Sequence, residues 1–428
     1  MNTRRLCLLL FLAVILLWPA NLAGAQSGFE FYYQAIEEVQ EEKPSTGDSW
    51  WDKAKNFGKK ILNYGKMAWS QAEMRFFPGE GTKWVRSVQN PNIAYKVKRV
   101  KVTTEAELLK AMGVKSESEL ADGQKAMLEA FRASSMQMIK DRQPYSYRKD
   151  PVRVLLTDTT GFDDVKTVEK DFWPMSFGSI QMSSNLYNYS GSGEQARSTF
   201  LHEFCHTMDR TVPAGVAYEA ARTWIKDGGP LYGKDNMHHI NEHTYPRVAY
   251  LEGWAIFNEM LEYPREAEGV RNAIKTIDFE KDGGSYDHVA ATDAKVTGQQ
   301  LMETEGVVAM VLYRLATEGK GGRKAIFEAF QASNKYLHEP KDFLQAFAKA
   351  NPDDVALAVR ILDEETHGKL SDAELKNLLG ATPEVLAALA DRGKSTLPAA
   401  PADEAGTTAE GKPVQVGSPD DTSPFADR

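Results

Sequence analysis

Apolar residues recur at helical spacing along most of the chain and alternate with polar ones over only a few short stretches. Ala196, Thr199, Phe200, Phe204 and Met208 mark one face of a helix, and Tyr250 to Glu259, following Pro246, marks another. Gln299 to Thr317 carries Val307, Val308, Met310, Val311, Leu312 and Leu315 and reads as a core helix. Further helices are predicted over Phe29 to Glu42, Glu105 to Met112, Glu117 to Lys140, Arg323 to Ser333, Lys341 to Ala350 and Asp353 to Leu362. Ile93 to Val102 alternates as a strand, with Ile93, Tyr95 and Val97 on one side and Lys96 and Lys98 on the other. Val152 to Leu156 and Phe177 to Ser183 read as short strands, and the charged, Gly-rich Phe279 to Ser285 reads as a loop. The balance is α+β, mostly helical.

The first of these helices carries His202-Glu203-Phe204-Cys205-His206. Two histidines four apart lie about 40° apart around a helix and one turn apart along it, so both rings can reach one ion. Glu203 can sit over that ion without binding it and take a proton from a water held there, the arrangement of zinc hydrolases. Ser192-Gly193-Glu194-Gln195 reads as a capping box that starts the helix. A catalytic zinc needs a third protein ligand and an open position. Glu252 is the best candidate, and Glu259, seven residues on, shares its helix face. One carboxylate can bind metal while the other accepts the free N–H of a ligating histidine. Gly253 and Ala255 are small enough to let this helix approach the first closely.

A His-Glu-x-x-His helix followed by a distal Glu-x-x-Ala-x-x-x-Glu helix resembles the gluzincins. Within them, His202-Glu203-Phe204-x-His206-x-x-Asp209 is similar to the catalytic domains of anthrax lethal factor-like peptidases. The resemblance covers the catalytic core and not the whole chain. It implies a zincin-like metallopeptidase core with a small mixed sheet and two metal-bearing helices, flanked by helical N- and C-terminal additions. It implies one Zn2+ on His202, His206 and Glu252, with Glu203 as general base and Glu259 and Asp209 behind the ligands. Tyr245, seven residues before Glu252, stands where that group has a tyrosine that stabilises the oxyanion. In those peptidases the strand at Phe177 to Ser183 is the sheet edge that pairs with substrate backbone. His238, His239 and His243 rival Tyr245 as donors to the oxyanion, or one of them serves as a ligand instead, although a surface role is the favoured reading for any single one.

Arg4-Arg5, the apolar run Leu6 to Trp18 and Ala23-Gly24-Ala25 have the form of a secretory leader over 1–25, which implies a secreted or periplasmic protein. No later stretch is apolar enough for a transmembrane segment of the mature chain. Cys205 is then the sole cysteine of the mature chain; its helix position turns it from the two histidines, so packing is expected of it. A net charge of −9 argues against nucleic acid as a partner, and the resemblance implies a peptide or protein substrate. Residues 26–90 read as an N-terminal amphipathic helical segment, 91–338 as the catalytic domain, 339–393 as a C-terminal helical segment and 394–428 as a disordered acidic tail. Trp50 to Phe77 is basic and amphipathic; docking on the domain is the preferred reading, with a membrane-surface contact through 50–77 or a cover over the cleft as alternatives.

Asp363 to Glu374 resembles an EF-hand loop, with Asp363, Glu365, Ser371 and Glu374 as the oxygen donors for Ca2+. Glu365 is long for its place and His367 replaces an oxygen ligand, so a helical hairpin without calcium is the favoured reading. The leading function is a secreted zinc metallopeptidase. The runner-up is a secreted binding or scaffold protein on a peptidase-like fold with a structural or idle metal site.

Overall fold

A computed structural model describes residues 28–42, 59, 63, 66, 79–87, 92–147, 151–159, 175–176, 179–184, 193–208, 239–281, 285–333 and 339–392. The leader at 1–25, most of 50–77, Ser192, Asp209, His238 and the tail at 394–428 lie outside the described residues. Among the described residues, six strands form a mixed sheet: β1 (Phe29–Glu41), β2 (Gly81–Arg86), β3 (Ile93–Val102), β4 (Val152–Asp158), β5 (Met175–Ser176) and β6 (Ile180–Ser183). Their order is β2-β3-β1-β4-β6-β5. β1 runs antiparallel to β3 and parallel to β4, β4 is parallel to β6, and β5 pairs antiparallel with β6.

Between β3 and β4 the chain forms α1 (Glu105–Ala111), α2 (Asp122–Ala133) and α3 (Gln137–Arg142). After the sheet come α4 (Gly193–Met208), α5 (Pro246–Glu262) and α6 (Pro264–Ala273), then a hairpin of β7 (Thr276–Glu280) and β8 (Tyr286–Ala290). The rest is helical: α7 (Gly298–Met302), α8 (Glu305–Glu318), α9 (Gly322–Ala332), α10 (Pro340–Ala350), α11 (Val355–Glu365), α12 (Asp372–Leu379) and α13 (Pro383–Arg392). The protein is thus mostly helical with a small mixed sheet.

The stretch Phe29 to Glu42, expected as a helix, is instead the third strand of the sheet. Phe31 and Tyr33 enter the main core on one face, while Tyr32 and Ile36 enter a smaller cluster with Tyr95, Val97 and Leu155 on the other. From Phe31 to Ile36 this strand is buried on both faces and so shows no polar alternation, which removes the period-two signal. β1 and β2, from residues 29–41 and 81–86, both pair with β3, which begins at Ile93.

Two predicted helices are broken. Glu117 to Lys140 becomes a turn of 3-10 helix, α2 and α3, because Ser134 and Ser135 fold their hydroxyls back onto the carbonyls of Phe131 and Arg132 at 2.7 and 2.9 Å. Gln299 to Thr317 becomes α7 and α8, because the Thr244 N–H donates to the carbonyl of Glu303 at 2.9 Å and His243 bridges Thr304 in antiparallel fashion. The loop expected over Phe279 to Ser285 begins later, since Phe279 and Glu280 pair with β8.

The main core lies between the sheet and the helices. Phe29 meets the rings of Phe200 and Phe204 at 5.6 Å each, which seats α4 on β1. On the far side of α5, Trp254 stacks on Phe330 at 4.4 Å and 9°.

Candidate metal centre

Helix α4 is buried along most of its length, including His202, Glu203 and His206. α5 begins with Pro246 at its first turn, where a missing N–H costs nothing, and Tyr245 caps it with extended backbone. The two helices run antiparallel in register. Ser198 and His202 of α4 meet Glu259 of α5, and His202 and His206 meet Glu252.

Glu252 Oε2 stands 3.3 Å from His202 Nε2 and 3.2 Å from His206 Nε2. These three residues are the one group of histidine, cysteine or carboxylate side chains among the described residues whose ligand atoms gather within 4.8 Å. Two ligands of a tetrahedral ion with bonds of about 2.0–2.1 Å stand about 3.3 Å apart, so the two edges from Glu252 to the histidines fit such an ion. Two imidazoles and one carboxylate can therefore hold a metal ion here.

Behind the cluster, His202 Nδ1 lies 3.0 Å from Glu259 Oε2, and Ser198 Oγ donates to Glu259 Oε1 at 2.8 Å. Burial alone favours a neutral His202, but Glu259 and Glu252 outweigh it and push the imidazole up to about 10 in the absence of metal. Cys205 is fully buried and desolvation pushes its thiol up to about 12, which makes it an inert packing residue rather than a nucleophile.

The close approach expected of Gly253 is real but is aimed elsewhere. A Cβ on Gly253 would stand 2.8 Å from the backbone oxygen of Glu305, so this glycine lets α5 approach α8 and not α4. The turn bearing Glu259 is held instead by Arg142, which is buried. Its Nε donates to Asn258 Oδ1 at 2.6 Å, its Nη2 to the Asn258 carbonyl at 3.2 Å, and its Nη1 pairs with Glu262 at 3.1 Å. Sequence reasoning missed both Ser198 and Arg142. The row Ser198, His202, His206, spaced by four, was the available signal for the first; nothing local marks the second.

Tyr245 is half-buried and immediately precedes the helix that carries Glu252. Of its rivals, His243 is engaged with Glu303 at 2.9 Å and lies against Phe279, and His239 sets its ring edge-on to Tyr286. β6 is not the outer strand of the sheet: β5 covers its Ile180 and Gln181.

The EF-hand-like donors each have another partner. Asp363 pairs with Arg392, Glu365 accepts from Arg314 Nη1 at 2.8 Å, and Glu374 accepts from the Ser371 N–H at 2.7 Å in the capping box of α12. The segment turns through His367 and Gly368, both left-handed at φ 52° and 71°, and the guanidinium groups of Arg392 and Arg314 pair with Asp363 and Glu365.

No protein-family model, curated protein or solved structure matches the chain. No helix among the described residues is long and apolar enough to cross a membrane.

Proposed function

We propose that the chain is a secreted, zinc-dependent metallopeptidase with a zincin-like core. The observation that carries the reading is the meeting of Glu252 Oε2 with both histidine Nε2 atoms across helices 50 residues apart in sequence. Two imidazoles and a single carboxylate, with one position left for water or substrate, are a common catalytic zinc set. When bound, zinc polarises a carbonyl and lowers the pKa of water.

The chain's own residues do the rest. His202, His206 and Glu252 hold the ion, and Glu259 fixes the His202 ring from behind. Glu203, beside the first ligand on the same buried helix, takes a proton from the attacking water and passes it to the leaving amine. Tyr245 donates to the oxyanion of the tetrahedral intermediate, where one such donor is worth roughly 3–4 kcal/mol of transition-state stabilisation. The leader-like N-terminus supports export.

Glu203→Gln tests the assignment of the base. The variant retains zinc and loses hydrolysis of a casein-type substrate by roughly two orders of magnitude or more. Turnover equal to wild type contradicts the role of Glu203, and bound zinc without cleavage by the wild type turns the reading into that of a binding protein.

A further inference from the structure

Three residues of α4 spaced by four, Ser198, His202 and His206, face Glu259 and Glu252 of α5. Ser198 is 4% exposed and Glu259 2%, so water competes little for either. A serine inside a helix commonly bonds a carbonyl of the preceding turn, as Thr207 of the same helix does to the Phe204 carbonyl at 2.7 Å. Ser198 instead donates across the interface to Glu259 Oε1 at 2.8 Å. The terminal torsion of a glutamate is broad and nearly two-fold, so one hydrogen bond leaves the carboxylate free to turn. Bonds to both oxygens fix it.

We propose that Ser198 is a positioning residue of the metal centre. By engaging Oε1 of Glu259 it directs Oε2 at His202 Nδ1, which keeps the Nδ1–H tautomer and leaves Nε2 as the lone-pair nitrogen facing Glu252 and the ion. The hydroxyl acts through Glu259 and touches neither ion nor substrate. The proposal rests on the metal-centre reading.

Its test is a zinc titration of the full chain against a chromophoric chelator. Ser198→Ala weakens zinc binding roughly tenfold, Ser198→Thr, which keeps the hydroxyl, restores most of it, and Thr207→Ala, the matched loss of a buried hydroxyl, leaves it unchanged. In a Glu259→Ala background, Ser198→Ala has no further effect, because the group it acts through is gone. Ser198→Ala binding within about twofold of wild type, or its full effect persisting without Glu259, overturns the proposal. If Ser198→Ala does not fold, Ser198→Cys, close in size and a weak donor, is held to the same thresholds. A wild type that takes up no zinc overturns the metal centre and the proposal together; a zinc-binding wild type indifferent to Ser198 overturns the proposal alone.

Discussion

His202 lies between two carboxylates that reach opposite nitrogens of its ring, Glu259 at Nδ1 and Glu252 at Nε2. Without metal this holds a proton on the ring well above its ordinary range, at about 10. A folded-state pKa raised above the unfolded value of about 6.5 gives a stability contribution that is fully present below that pH. It is lost as pH rises toward 10. The same proton must leave when an ion takes Nε2. Zinc binding at pH 7 is therefore expected to release about one proton from His202. Calorimetry in buffers of different ionisation enthalpy measures that release, which should fade as the pH passes about 10; uptake without release at pH 7 contradicts the arrangement. At this scale the sequence was informative: the histidine pair and the Glu252 to Glu259 spacing follow from helical geometry alone. Ser198 was not recognised, because serine is common on helices and its partner is 61 residues away.

The helices that carry His202, His206 and Glu252 are held by contacts on their outer faces. α4 is seated on β1 by Phe29 against Phe200 and Phe204, and α5 is drawn against α8 at Gly253. Gly253→Ala would push a methyl group into the Glu305 carbonyl and Val308. It is expected to destabilise the fold by about 1–3 kcal/mol, read as a lower midpoint in urea unfolding at unchanged slope; an unchanged midpoint contradicts the packing assigned to α5. Helices with one polar face were legible from their spacing. β1 was not, since both of its faces are buried from Phe31 to Ile36, and neither were the breaks at Ser134-Ser135 and at Glu303-Thr304. The first break depends on side chains competing for helix carbonyls and the second on a distant backbone segment, so neither leaves a periodic trace.

Among the described residues, one main hydrophobic cluster runs from Phe31 to Leu389 and joins the sheet, α4, α5 and the C-terminal helices. Phe343 of α10, in the C-terminal helical segment read over 339–393, lies 6.1 Å from the ring of Tyr250 and 6.5 Å from that of Trp254. Phe343→Ala should therefore cost about 3–5 kcal/mol of global stability and disturb α5 with it. A single thermal transition shifted downward is the expected result, and loss of α10 to α13 as a separate early transition would show an independent unit. The EF-hand-like hairpin belongs to this packed region, where its acidic groups pair with Arg314 and Arg392.

The most direct test of the metal centre is the zinc content of the purified chain measured beside that of Glu252→Ala after dialysis against a weak chelator. About one zinc per wild-type chain, with most of it gone from the folded variant, is the predicted result. Equal zinc in the two proteins, or none in either, contradicts a site closed by His202, His206 and Glu252.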